Sequence, residues 1–118
     1  MYKVQYDQVN ATAVEEAGAN NVSVRWVISE REGADNFAMR VFTMTPGGYT
    51  PLHMHAWEHE VFILKGTGVV VSNGADVPFA PGDVIFVPGE EEHQFKNTGD
   101  ADVEFICLIP IAPKTCAG

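Results

Sequence analysis

The stretch TPLHMHAWEHEVFILKG, Thr50 to Gly66, holds three of the chain's four histidines and runs directly into an apolar segment. His53 and His55 are two residues apart, so on a strand both rings leave the same face, roughly 6.5–7 Å apart. His59 follows in phase with Val61 and Ile63, whereas Glu60 is in phase with Phe62 and Leu64. The intervening AWE (56–58) allows a bend, so the alternation does not carry through from His55 to His59. The fourth histidine, His93, stands in PGEEEHQF and arrives from a separate strand, with Phe95 on its face.

Outward from this stretch the chain is a series of short β-type runs cut by Gly, Pro, Asn and Asp. VSVRWVIS (22–29) and FAMRVFTM (37–44) are rich in β-branched and aromatic residues. HEVFILKG leads through Gly66 into TGVVVS, after which Asn73-Gly74 predicts a hairpin turn that needs positive φ. ADVPFAPGD, VIFVP, HQFKN, TGDAD and VEFICLI continue the pattern to the C-terminal side. Turn signals recur about every 8 to 12 residues, which predicts an all-β sandwich or barrel. At this length a jelly-roll barrel is the expected form. Only ATAVEEAGA (11–19) offers a helix, and its glycine makes that helix short or absent.

A chain of 118 residues is long enough for one domain with one core. The expected layout is a single domain over 1–118, with an N-terminal arm (1–20), a barrel over about 21–111 and a short tail (112–118). Charge is −9 with only seven Lys and Arg, which disfavours phosphate backbones and acidic lipid surfaces. No apolar stretch approaches the roughly 20 residues of a membrane span. The opening MYKVQYDQVN lacks the apolar region of a secretory signal, so the expectation is a cytoplasmic protein, although a form already stripped of its signal would look the same. Cys107 lies in an apolar run and Cys116 near the end, so neither a disulfide framework nor a CxxC pair is expected.

Neutral imidazole is the commonest nitrogen ligand of first-row transition metals. Four of them hold a divalent ion without neutralising its charge. The alternative is incidental placement: His53 and His55 in a surface loop, His59 on a strand by chance, His93 in a capped turn. For one histidine that alternative wins. All four, however, fall within a larger pattern.

Gly47, five residues, HMH, three residues, His59, six residues and Gly66 resemble the first cupin motif, with histidine where glutamate usually stands. Gly82, five residues, Pro88, His93 four positions after Gly89, and Asn97 four later resemble the second. The 15 residues from Thr67 to Pro81 suit a compact single-domain cupin. The resemblance, strongest to small four-histidine bacterial cupins, implies a cupin jelly-roll β-barrel with one divalent metal per chain. Its ligands would be His53, His55, His59 and His93. Manganese is the ion implied, with iron, nickel, zinc or copper as alternatives. Glu60 becomes the ligand only if one more intervening residue is counted, and the six-residue gap to Gly66 favours His59. Glu90 stands where the second motif has glycine, and Asn97 is expected to shape the KNTGD turn.

No cysteine lies near the histidines in sequence, unlike most structural zinc sites, so open coordination positions are expected. In-phase Val61, Ile63 and Phe95, together with Met39 or Phe42, Phe86, Phe105 and Cys107, are candidate walls for a small, largely apolar or aromatic molecule. Trp57 and Glu58 are candidates for the mouth, and Glu58 or Glu60 for orienting a ligand N–H. Arg40 is expected at the surface, or else facing a substrate carboxylate. The resemblance implies a metal-dependent oxidoreductase of dioxygenase type. The alternatives are a non-catalytic, metal-anchored binding protein and a metal-dependent isomerase or lyase. It also implies a homodimer, formed through sheets or an exchanged N-terminal strand, for which MYKVQYDQV alternates suitably and Phe62 and Leu64 offer an apolar outer face.

Overall fold

The computed structural model describes residues 1–111, so Cys116 and the tail 112–118 lie outside the described residues. Nine strands form: β1 (Thr12–Ala13), β2 (Asn20–Ile28), β3 (Phe37–Tyr49), β4 (His59–Lys65), β5 (Gly68–Ser72), β6 (Ala75–Phe79), β7 (Val84–Val87), β8 (His93–Asn97) and β9 (Val103–Pro110). They join in the order β6-β5-β8-β3-β9-β4-β7, with β2 on the other edge of β3 and β1 beyond it. Among the described residues no helix is long and apolar enough to cross a membrane.

β3 is what curls this array into a barrel. From Phe37 to Met44 it pairs with β9, and beyond that only Tyr49 pairs with Lys96 of β8. The crossing happens at Gly47 and Gly48. Gly47 has φ 81°, and a Cβ on Gly48 would lie 2.8 Å from the carbonyl oxygens of Asn21 and Thr45. A side chain there would push β2 and β3 apart. Asn97 ties the same crossover from the other side. Its amide donates 2.9 Å bonds to the carbonyls of Met44 and Ala101 and accepts from the N–H of Gly99. The expected turn-shaping role is therefore present, with an added clamp on β3.

The core follows the strand period. Met44, Val61, Ile63, Val103 and Phe105 are fully or almost fully buried. Phe42, Phe105 and Phe95 stack in series, with centroids 5.2 and 4.9 Å apart. The Asn73-Gly74 turn forms as expected, both residues having positive φ.

ATAVEEAGA makes no helix, in keeping with the glycine within it; Thr12 and Ala13 pair with β2 instead, and a turn follows. The first residues form no strand either. Tyr6–Gln8 is a single 3₁₀ turn, and Tyr6 reaches back to donate a 2.8 Å hydrogen bond to Glu104, a buried carboxylate that also accepts from Thr43. A second 3₁₀ turn, Glu30–Glu32, is closed by a Ser29/Glu32 capping box. Phe86, expected as a cavity wall, is instead more than half exposed on the outer face of β7.

Candidate metal centre

The segment carrying His53 and His55 is not a regular strand. It runs antiparallel to β8 as an irregular edge, stitched on by a few bonds. Thr50 N–H donates to Phe95 O (2.9 Å), and Thr50 Oγ1 accepts from Phe95 N–H (2.9 Å). His53 and His93 exchange both backbone bonds, at 3.2 and 3.0 Å. Residues paired in that way present their side chains on the same face, so the bridge alone sets the two rings side by side. Further along, Glu90 N–H donates a 2.7 Å bond to His55 O. Gly89 packs against Ala56 so closely that a Cβ would collide with the Ala56 carbonyl oxygen.

Glu90 itself adopts φ 68°, the left-handed conformation that a glycine takes freely. The substitution of glycine by glutamate in the second motif therefore leaves the turn intact, at the cost of local strain.

All four imidazoles meet. Five of the six ring pairs have centroids 4.6–5.2 Å apart, and His53 and His59 take the opposite corners. His53, His55 and His93 bring ligand atoms within 4.8 Å of one another, and His59 Nε2 lies 3.0 Å from His55 Nε2. Two nitrogens at right angles around an ion at about 2.1 Å have that spacing.

The hydrogen bonds on the far side of the rings suit ligation. His55 Nδ1–H donates to Trp57 O (3.2 Å) and His93 Nδ1–H to Glu91 O (2.9 Å), because a carbonyl can only accept. Both neutral rings therefore keep a lone pair on Nε2. His59 Nδ1 lies 3.2 Å from Cys107 Sγ, and His53 Nδ1 lies 3.4 Å from Glu16 Oε2. Burial drives three of the rings toward the neutral form: it pushes His59 down to about 3, helped by the nearby His55 ring and Arg40, and lowers His55 and His93 as well. Four imidazoles converging in this way, with His55 and His93 turning Nε2 inward, are a donor set that fits a divalent transition metal.

Above the rings opens a cavity of about 590 Å³. Cross-strand register builds its wall: Trp26 pairs with Arg40 and Arg40 with Cys107, while Phe42 pairs with Phe105. Trp57 stacks on His55 at 4.1 Å and 5°, half exposed at the rim. Phe42, Phe95, Phe105, Cys107, Trp57 and Arg40 all line the space.

Arg40 is not at the surface. It shares the inward phase of β3 with Ala38 and Met44, and its guanidinium lies over Trp26 (5.3 Å) and Phe42 (4.8 Å). Burial raises the Cys107 thiol, which keeps it protonated despite the neighbouring Arg40.

Other candidates fall elsewhere. Ile63 and Val61 belong to the core beneath the cavity. Met39 takes the opposite phase of β3 from Arg40 and does not line the cavity. Glu58 and Glu60 line a separate outer groove with Phe37 and Pro110, so neither orients an imidazole; backbone carbonyls, Cys107 and Glu16 do that. Trp26 and Glu16 escaped the sequence reading. Trp26 was visible in the alternation Val22, Val24, Trp26, whereas Glu16 sits in a loop with no periodic signal.

The Cupin domain pattern matches residues 40–109. An oxalate-binding protein of Thermotoga maritima is 45% identical over 67 residues, which are 56% of this chain and 55% of that protein. A glucose-6-phosphate isomerase of Pyrococcus horikoshii is 34% identical over 93 residues, 69% of this chain and 49% of that protein. The chain thus spans about half the length of the curated relatives it matches. Among solved structures, the polyketide cyclase RemF of Streptomyces resistomycificus superposes with a TM-score of 0.89 at 35% identity, covering 93% of this chain and 79% of that one. A matching pattern over more than half the chain, the barrel, and agreement with these relatives together establish that the chain belongs to the cupin family.

Proposed function

We propose that this cupin is a metal-dependent enzyme acting on a small, largely apolar or aromatic substrate, with His53, His55, His59 and His93 holding the ion. The observation that carries the reading is an all-imidazole cluster on the floor of an aromatic-walled cavity. An ion bound by four neutral ligands keeps its full charge and supplies Lewis-acid polarisation of a substrate oxygen. The chain supplies the rest. Trp26, Phe42 and Phe105 exclude water and fix the plane of a flat ligand, and Trp57 narrows the entrance. The outward Nδ1–H bonds hold the rings in one orientation.

The resemblance points to manganese, and four imidazoles without a carboxylate also suit iron, nickel, zinc or copper. Isomerase, lyase or cyclase chemistry without net electron transfer is the first reading, supported by the likeness to a polyketide cyclase and a glucose-6-phosphate isomerase. Dioxygenase-type oxidation is the second, because an all-nitrogen set suits a redox-active manganese or iron centre.

Loading the protein with zinc, manganese and iron in turn separates them. Each sample is offered phenolic and β-dicarbonyl compounds while product and dissolved oxygen are followed. Conversion with zinc and no oxygen uptake supports the first reading, since zinc has no redox chemistry. Oxygen consumption with manganese or iron alone moves the assignment to a dioxygenase. Stabilisation by ligand without conversion under any metal reduces the protein to a binding module.

We also propose a homodimer. Phe62 and Val84 are cross-strand partners and Leu64 and Phe86 share their face, which leaves four exposed apolar side chains on the outside of β4 and β7. Light scattering at the mass of one chain would remove that proposal.

A further inference from the structure

The cavity contains a cation with nothing to balance it. An inward arginine in a β-barrel costs several kcal/mol unless hydrogen-bonded or paired. Arg40 offers five N–H donors. Among the described residues its one side-chain hydrogen bond runs from Nη2 to Cys107 Sγ at 3.2 Å, a weak acceptor, and Nε is buried without a partner. The ion pairs among the described residues, Arg31–Glu32 and Lys65–Glu104, and the His53–Glu16 contact all leave Arg40 out. The carboxylates lining the cavity, Glu15 and Glu16, sit on an exposed loop, and Glu16 is turned to His53.

The guanidinium is nevertheless held in place. It lies between the faces of Trp26 and Phe42, and the Cys107 sulfur that receives its N–H also touches His59. Cation–π contact and one sulfur position a guanidinium; they do not satisfy it. Its neighbours on the other side are imidazoles, which supply no negative charge, whether or not they carry a divalent ion. The interior therefore selects for an anion, while its walls select for an apolar body.

We propose that Arg40 is the anion anchor of this cavity, receiving the carboxylate of an otherwise aromatic or apolar ligand whose body lies along Trp26, Phe42 and Phe105. This deepens the proposed function by naming the substrate as an aryl or enyl carboxylate. It rests on that reading only in using the same cavity, because Arg40 is not one of the four imidazoles that would hold an ion and acts with or without one.

The test compares an acid with its uncharged isostere. Cinnamate and cinnamamide are titrated calorimetrically into the full chain, metal-loaded and metal-free, with bound metal measured on the same samples. Cinnamate is expected to bind about tenfold or more tightly than the amide in both forms. Arg40→Gln should erase the preference, and Arg40→Lys should restore part of it as a point charge without the fork. Oxalate, which has the charge but no apolar body, should bind more weakly than cinnamate.

A wild-type chain that takes acid and amide equally, or takes neither, overturns the anchor without reference to any variant. So does an acid preference that persists in Arg40→Gln, because the metal would then be the anchor. Oxalate binding as tightly as cinnamate overturns the apolar half of the ligand class. A chain that discriminates acid from amide but retains no metal keeps Arg40 in this role and loses the metal centre. The opposite result keeps the centre and loses the anchor.

Discussion

At one end of the barrel β3 and β9 meet through the fully buried pair Met44 and Val103; at the other the same strands contribute Arg40 and Cys107, joined by His93 of β8. The difference lies in what each end does with burial. The apolar end is stabilised in proportion to the surface it removes from water. The imidazole end loses solvation for every ring it buries, which is why His55, His59 and His93 are all driven toward their neutral forms. Packing holds the shape, and the polar end uses that rigidity to keep four rings at mutual distances they would not choose in water. Damage to the first end should cost stability, and damage to the second should cost ligand and metal while leaving the barrel folded.

The most severe test of this division is Met44→Ala. It removes a fully buried side chain that does not line the cavity, with an expected loss of about 2–5 kcal/mol in denaturant melts. Unchanged stability would mean the two ends are not distinct. His93→Ala should leave the melt of the metal-free protein near wild type. It should weaken metal binding by at least about 100-fold in chelator competition, the upper figure for losing a mere outer partner. Glu60→Ala serves as the control and should retain the metal; the reverse ranking would move the ligand role to Glu60.

Gly89→Ala probes the seam between the ends. The new Cβ meets the Ala56 carbonyl and displaces the segment holding His55. About 1–3 kcal/mol of stability and about tenfold in metal affinity should go together.

Acid acts on one end only. Because the folded pKa values of His55, His59 and His93 lie below the unfolded value, the unfolded chain binds more protons between them. Stability of the metal-free protein should therefore fall as pH drops below about 6.5 and go on falling toward the His59 value of about 3. A melting temperature flat across that window would contradict the burial of the rings. The smallest effect is a gain: Glu90→Gly relieves the left-handed strain before His93 and should stabilise by up to about 1 kcal/mol, with metal affinity unchanged.

Most of the fold was legible because strand alternation and turn chemistry are local. Asn73-Gly74 needs no tertiary information to make its turn, and VEFICLIP needs none to alternate. The four histidines were legible through spacing, although the segment carrying two of them turned out to be an edge stitched to β8 rather than a strand. What escaped depended on register between distant strands. Arg40 faces inward because β3 places it between Trp26 and Cys107, and no count along FAMRVF says which face is inside. Glu58 was misplaced for a related reason: the bend at AWE breaks the phase, so nearness to His59 in sequence did not become nearness in space. Alternation in MYKVQYDQV does not become a strand within this chain: Tyr6 and Val9 are held instead by side-chain bonds to Glu104 and from Arg25.

The Tyr6 attachment bears on how the protein can be handled. Tyr6 caps Glu104 on the outside of the sheet, one residue along β9 from Phe105. Trimming beyond Tyr6 would strip a carboxylate of its phenol cover and leave Thr43 and Lys65 to shield it alone. Shortened versions made for crystallisation should therefore keep the first six residues.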